Sequence, residues 1–221
     1  MTALRQITIL ISFCLMMITG HETLSVDDTI LDQLINQNGC PKCNLTGVIL
    51  AKQNFIGADF SGADLSGANF SDANLWKANF TNANLQGANF SGANLRDSTL
   101  SGANLTDAIL TASNLKHTRA VGTVLKSAKL NKANLFFADL RNCLLNNADL
   151  SGTYLAHANL QKAQVAGVIF NGTSLQEANL QDIDFTDLDL ETVILRNADL
   201  TGTIFCRTKT AWGQVDDSCP E

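Results

Sequence analysis

Only a few side chains in this 221-residue sequence have the chemistry that an enzyme needs. Beyond the first 21 residues the histidines are His117 and His157. Ser113 and Lys116 match an S-x-x-K pattern, but Ser113 occupies a slot in which alanine recurs, so its hydroxyl is predicted to be buried. No metalloprotease, P-loop, nucleophile-elbow or dinucleotide motif is present. The sequence therefore predicts a protein that is not an enzyme and has no cofactor.

Carboxylates between residues 177 and 191 are the second candidate for chemistry, because Ca²⁺ binds clustered carboxylate oxygens. No lysine or arginine occurs among residues 163–195, and no glycine-bearing calcium loop accompanies the acids. A solvated acidic face is the favoured interpretation, and a calcium-binding surface is the alternative. The acidic residues are Glu177, Asp182, Asp184, Asp187, Asp189 and Glu191.

A five-residue repeat positions these side chains. Every fifth residue from Leu45 to Phe205 is leucine or phenylalanine, and the only exceptions among the 33 positions are Ala120 and Val165. The residue two before each of these centres is usually small, and asparagine or aspartate usually lies between the two. Two turn-forming residues follow each centre, and no insertion interrupts the register.

A period of five predicts a chain that turns a corner after each three-residue strand. The small and large residues are two positions apart, so both point to the same side of the strand and face the interior. Four corners close a square, which gives about 20 residues per coil, about eight coils and a length of about 40 Å. Residues 20 apart in the sequence should then stack in adjacent coils.

The repeated A-[DN]-[LF]-x-x pattern over residues 43–207 resembles the pentapeptide-repeat family. The resemblance implies an all-β solenoid, namely a right-handed quadrilateral β-helix; its handedness is implied by the resemblance and not by the spacing. The paired terminal cysteines are similar to those of exported, cyanobacterial-type members. Repeat solenoids of this kind usually support binding.

The flanking segments are predicted to export and cap the solenoid. Residues 1–20 are predicted to be a signal peptide, since the apolar run 7–18 is too short to span a membrane; an uncleaved anchor is the alternative. Residues 21–42 are predicted to form an N-terminal capping α-helix and an entry loop. Residues 208–221 are predicted to form a cap in which Trp212 covers the last coil.

Five cysteines remain after removal of the signal peptide, and an exported chain reaches an oxidising compartment. Cys40 and Cys43 flank the start of the repeats, whereas Cys206 and Cys219 flank their end. In line with the resemblance to exported family members, we expect the disulfides Cys40–Cys43 and Cys206–Cys219. Cys143 is expected to stay free, because it occupies an inward small slot and acts there as a small hydrophobic residue.

One group of outward residues departs from the repeat and is the candidate contact surface. The stacking of successive coils brings its members together, and two of them are aromatic residues in turn slots that usually hold small or polar side chains. Adjacent exposed aromatic residues indicate an interface, and drift of the repeat is the alternative. The two histidines are expected about 10 Å apart, too far to share a zinc ion. The group comprises Lys116, His117, Phe136, Phe137, Tyr154 and His157.

The sequence thus leads to the hypothesis of a non-enzymatic structural or protein-binding module that acts outside the cytoplasm, in the periplasm or the thylakoid lumen. Its partner is expected to be another protein, and the chain itself is expected to be monomeric, without stable membrane insertion and without nucleic acid. The alternative comes from cytoplasmic members of the family, which resemble B-form DNA and inhibit DNA gyrase. The predicted export signal and the basic residues between 116 and 141 disfavour this alternative.

Overall fold

The computed structural model describes Leu34, residues 37–216 and Cys219. Within these residues the chain winds as a parallel ladder, in which the middle residue of each short strand pairs with the residue 20 positions further along. Strand β1, Asp189–Leu190, pairs in the same register with β2, Thr208–Thr210. The chain comes back to the same position after 20 residues, that is, after four five-residue repeats, each of which ends in a turn. Each coil therefore has four sides, as the repeat predicts. This ladder is interrupted once, between residues 163–172 and 183–191.

Each corner of the coil is closed by a backbone hydrogen bond across its two turn residues. At one such corner the Ala63 amide donates to the Phe60 carbonyl at 3.1 Å. The second turn residue has a positive φ, 65° at Gly62 and 57° at Asn82. This conformation favours glycine and asparagine, which explains why both recur in that slot.

The centres and the small residues face inward and form one continuous apolar core. Phenylalanine centres of adjacent coils stack on one another, with ring centroids 5.2 Å apart for Phe60 and Phe80 and 5.1 Å apart for Phe70 and Phe90. Both exceptions to the leucine and phenylalanine pattern, Ala120 and Val165, are also buried. The inward assignment of the centres is therefore confirmed for the exceptions as well.

Several polar residues in the small slots donate to backbone carbonyl groups, whereas the buried Ser98 hydroxyl has no partner. The Thr123 hydroxyl donates to the Leu100 carbonyl at 2.8 Å, and Ser113 donates to the Leu110 carbonyl at 2.7 Å. Ser113 is buried, so the predicted inward position of its hydroxyl is confirmed. These two hydroxyls replace alanine without leaving an unpaired polar group.

Both expected disulfides, Cys40–Cys43 and Cys206–Cys219, are present, and Cys143 is free and buried. The predicted signal peptide lies outside the described residues. So does the capping helix, apart from Leu34, whose buried side chain packs into the core. No helix within the described residues is long and apolar enough to cross a membrane.

The prediction that Trp212 covers the last coil is wrong. Strand β2 turns back into an antiparallel strand β3, Gly213–Val215, and Trp212 lies in the turn between them with 85% of its surface exposed. Because β3 pairs with the edge of β2 opposite to β1, it continues the same side of the solenoid beyond the last coil, and the ring in the connecting turn stays exposed. The terminal core residues Leu195, Leu200 and Phe205 are consequently only partly buried.

Candidate protein-docking surface

Three successive coils contribute to one cluster at a single corner of the solenoid. Residue pairs 116–117, 136–137 and 156–157 occupy the same turn in these coils, and Tyr154 lies in the strand before that turn. The structure brings all six predicted residues together, and we name them the aromatic corner. They are Lys116, His117, Phe136, Phe137, Tyr154 and His157.

The rings of the aromatic corner form a stacked column with further rings beside it. Phe137 is sandwiched between the two imidazoles, with centroid distances of 5.6 Å to His117 and 4.7 Å to His157. Phe136 meets Phe137 edge-on at 4.5 Å and stacks on Tyr154 at 5.7 Å. The Lys116 ammonium lies 5.1 Å over the Phe136 ring. These edge-on, stacked and cation–π arrangements are the ones that aromatic rings and cations prefer.

This cluster is accessible from solvent. Phe137 is 49% exposed and Tyr154 is 45% exposed, whereas Phe136 and His157 are partly buried against them. The surface therefore exposes aromatic rings, which are enriched in protein interfaces.

The backbone at Phe137 has the left-handed conformation that the second turn residue adopts in nearly every repeat. Its φ is 57°, in the left-handed region that bulky residues rarely adopt. Gly57, in the same slot four coils earlier, has a φ of 66° and meets no such penalty. A non-glycine residue in this region costs of order 1 kcal/mol, and Phe137 makes no core contact to offset it.

Carboxylates lie at both ends of the stacked column, a position that the predicted contact surface did not include. Glu177 Oε2 lies 3.3 Å from His157 Nδ1. At the other end, the Trp76 indole donates to Asp97 at 2.9 Å, and this bond holds the pKa of Asp97 below its ordinary value. Residues 97, 117, 137, 157 and 177 are spaced by 20, so the stacking rule contained the signal that would have found both acids.

The carboxylates between residues 177 and 191 include some that pair with basic residues outside that segment. Asp187 accepts two hydrogen bonds from Arg207, at 2.6 and 2.7 Å. Lys209 pairs with both Asp189 and Glu191. These cations belong to the next coil of the chain. In the part of the chain that the structure describes, no three potential ligands are grouped so as to hold a metal ion, so the calcium alternative gains no geometric support.

The remaining candidates for covalent chemistry are inaccessible. Burial raises the pKa of the Cys143 thiol to about 12, so it stays protonated in neutral solution. Ser113 is buried, and His117 and His157 are separated by the intervening Phe137 ring.

The carboxylate of Asp139 makes the protein sensitive to acid. Two hydrogen bonds from Arg141, at 2.8 and 2.7 Å, hold the pKa of Asp139 below its ordinary value of 3.8. Hydrogen bonds from neighbouring residues likewise lower the pKa values of Asp64, Asp187, Asp189 and Asp199. A depressed pKa stabilises the folded state above the ordinary value, and this stabilisation is lost as pH falls through the folded-state value.

We therefore expect the free energy of unfolding to stay constant from about pH 7 to pH 5 and to fall below about pH 4. Urea unfolding at several pH values measures it. Asp139→Asn removes one depressed carboxyl and should make the acidic decline shallower. A free energy that rises on acidification would contradict the assignment.

The comparisons with known sequences agree with the repeat. The family described as pentapeptide repeat region matches residues 39–108 and 138–212, and pentapeptide repeats (8 copies) match residues 108–147. This chain belongs to the pentapeptide-repeat family. Members form right-handed quadrilateral β-helices, in agreement with the four-sided parallel ladder. No curated protein matches this pentapeptide-repeat chain.

Solved structures of pentapeptide-repeat proteins resemble this chain. HetL from the cyanobacterium Nostoc sp. strain PCC 7120, involved in heterocyst differentiation regulation, is 27% identical over 87% of this chain and 100% of its own, with a TM-score of 0.36. Rfr23 from the cyanobacterium Cyanothece 51142 is 27% identical over 66% and 94%, with a TM-score of 0.34. A protein from the Arabidopsis thaliana thylakoid lumen is 30% identical over 46% and 68%, with a TM-score of 0.28. At such TM-scores, these likenesses carry no argument about function.

Proposed function

We propose that this pentapeptide-repeat protein is a non-enzymatic binding module outside the cytoplasm that docks an acidic surface of another protein on its aromatic corner. The observation that carries the proposal is the partly exposed stack of His117, Phe137 and His157, with Phe136, Tyr154 and Lys116 beside it. Phe137 is exposed and lies outside the core, which is expected of a side chain kept for recognition.

The charges around the aromatic corner support an acidic partner. Lys116 lies over Phe136, and Arg119 begins the next side of the same coil, two residues after His117. Salt screens exposed charges, so high ionic strength weakens docking.

The disulfides support a location of the protein outside the cytoplasm. Two of them, Cys40–Cys43 and Cys206–Cys219, lie at the two ends of the solenoid, and such bonds persist in oxidising compartments. The periplasm and the thylakoid lumen are both such compartments, and the predicted signal peptide leads to either.

The proposal is tested with the double variant Phe136→Ser and Phe137→Gly in a pull-down from the exported fraction of the source organism. We expect the partner to be lost from the variant. The free energy of unfolding should change by no more than about 1 kcal/mol, because glycine relieves the positive φ while the ring contacts are lost. Chemical denaturation of the same preparation measures this change.

Ile49→Ser is the matched control, because Ile49 is also 49% exposed and lies outside the aromatic corner. The control should keep the partner, and wild-type binding should weaken when the ionic strength is raised from about 0.1 to 0.5 M. An identical partner list for the double variant and the wild type would refute the proposal. Loss of the partner from Ile49→Ser as well would show that apolar exposure alone drives capture.

A further inference from the structure

The single interruption of the ladder leaves backbone groups of two coils facing each other without their usual bonds. In the flanking coils the centre amides donate to a carbonyl of the next coil, as from Leu160 to Asn179 and from Leu175 to Ile194, both at 2.8 Å. These bonds are absent between residues 163–172 and residues 183–191, all of which the structure describes. The pairing of Gln164 with Asp184 and of Ile169 with Asp189 is absent as well. The amides that lack the usual partner are those of Val165, Gly167, Phe170, Gly172, Asp184 and Asp189.

Bulky inward side chains explain this interruption, which we name the ladder gap. Ile183 and Leu188 occupy slots that usually hold alanine, and both are buried. They stack on Ala163 and Val168, one coil earlier, so the interior must hold more volume there than in other coils. Extra methylene groups in a packed core push the backbone apart.

The corner at one end of the ladder gap is also unusual. From residue 42 to residue 207, all of them described, Thr192 is the only second turn residue without a positive φ. A β-branched side chain avoids that conformation. The Gly172 amide consequently donates to the Thr192 hydroxyl at 2.9 Å and not to the carbonyl of residue 191. The two coils rejoin through this side chain.

The ladder gap opens into a cavity of about 380 Å³. One wall is the apolar strand from Val168 to Asn171, and the other contains Asp189, Glu191 and Thr192. This volume lies within the range of pockets that bind small ligands. The cleft therefore combines an apolar wall, carboxylates and unpaired backbone donors and acceptors.

We infer that the ladder gap binds an extended, lysine- or arginine-bearing peptide segment of another protein. An extended peptide carries alternating amides and carbonyls at strand spacing, which complement the unpaired groups of Phe170 and Asp189 on the opposing edges. The site lies on a different side of the solenoid from the aromatic corner, so it functions independently of the proposed docking surface.

The charge around the ladder gap selects a basic segment. Residues 163–195 contain no lysine or arginine, and Asp182 and Asp184 form no ion pair in the described part of the chain. Lys209 already contacts both Asp189 and Glu191, which shows that this pair of carboxylates accommodates an ammonium group. A lysine of the bound peptide takes up the same position or shares it.

Amide hydrogen exchange of the purified protein, measured by NMR, tests the inference with a synthetic ten-residue peptide of alternating threonine and lysine. In the free protein the amides of Val165, Phe170 and Asp189 should exchange at least ~10-fold faster than those of Leu85 and Leu105 in the continuous ladder. Saturating peptide should slow the first set at least ~10-fold and leave the second unchanged. Equal exchange of the two sets in the free protein would overturn the inference.

Two control peptides separate strand pairing from simple charge attraction. The same sequence with alternate amides N-methylated cannot form the ladder bonds and should bind at least ~10-fold more weakly. A threonine and glutamate peptide should show no binding. Equal affinity of the N-methylated and unmodified peptides would refute a strand-binding site and leave only a basic peptide on an acidic face.

The double variant Ile183→Ala and Leu188→Ala provides the test from the side of the protein. Restoring small residues should close the ladder gap, so the three amides become protected without peptide and binding falls at least ~10-fold. A folded variant that still binds the peptide as the wild type does would also overturn the inference. If the variant does not fold, the comparison of the N-methylated and unmodified peptides on the wild-type protein still tests the inference.

Discussion

Replacing Phe70 with alanine is expected to lower the free energy of unfolding by about 3–5 kcal/mol. Phe70 is fully buried, stacks on Phe90 at 5.1 Å and meets Phe60 and Phe80 edge-on at 5.8 Å each. Truncation removes both the transfer free energy of the ring and its contacts with three others, and the four-sided backbone cannot collapse far because each coil is bonded to its neighbours.

Urea unfolding with comparison of m-values measures this loss. Phe70→Leu is the graded variant, since leucine fills most other centres of the repeat, and it should cost less than half as much as alanine. Phe137→Ala is the matched control, because it removes the same ring from an exposed corner and should change the free energy by no more than about 1 kcal/mol. If the two alanine variants unfolded alike, the core assignment of the phenylalanine column would be wrong.

The difference between these two phenylalanines could be predicted from the sequence, because the register is uninterrupted. A five-residue period with strand alternation places Phe70 inside and Phe137 outside, and the stacking of successive coils places Phe137 between His117 and His157. Each of these positions can be predicted from the spacing of the residues alone. Such predictions are correct wherever successive coils have the same backbone structure.

The sequence analysis missed features that depend on how far coils are apart. Ile183 and Leu188 were visible as large residues in small slots, but the pattern alone does not say whether a core absorbs extra volume or opens. In the structure the core opens, and the hydrogen bonds of the ladder are absent over two sides of the coil. Packing volume is a property of several coils together, so a residue-by-residue pattern cannot supply it.

Trp212 shows a second limit. The prediction treated it as a plug because a solenoid end needs cover, but the chain after residue 207 no longer follows the repeat. Its direction is set by the antiparallel pairing of Thr208 with Val215 and by the disulfide of Cys206 with Cys219. Tertiary bonds of this kind have no signature in a five-residue pattern.

The second large effect is expected from removal of that C-terminal disulfide. Cys206 is buried, and its bond to Cys219 closes a segment with a sequence separation of 13. Closing a loop of this length stabilises the folded state by about 3 kcal/mol in the chain-entropy description. We expect the double variant Cys206→Ser and Cys219→Ser to lose about that amount.

The loss should be local, because each coil of a solenoid contacts only its neighbours. The amide of Lys209, which donates to the Leu188 carbonyl at 2.9 Å, should therefore exchange about 100-fold faster in the variant, as expected for about 3 kcal/mol. Amides of the central coils, such as Leu105, should be unaffected. The ion pairs of Arg207 and Lys209 are exposed and contribute too little to hold β2 in place alone.

Two controls separate the disulfide from the loss of cysteine itself. Cys143→Ala removes the free buried thiol and should leave exchange at Lys209 unchanged. The variant Cys40→Ser and Cys43→Ser opens a bond with a sequence separation of only 3, so its loss should destabilise the protein less and leave the C-terminal strands intact. Unaltered exchange at Lys209 in the Cys206→Ser and Cys219→Ser variant would mean that strand pairing alone fixes β2 and β3, and that the disulfide joins a cap already folded without it.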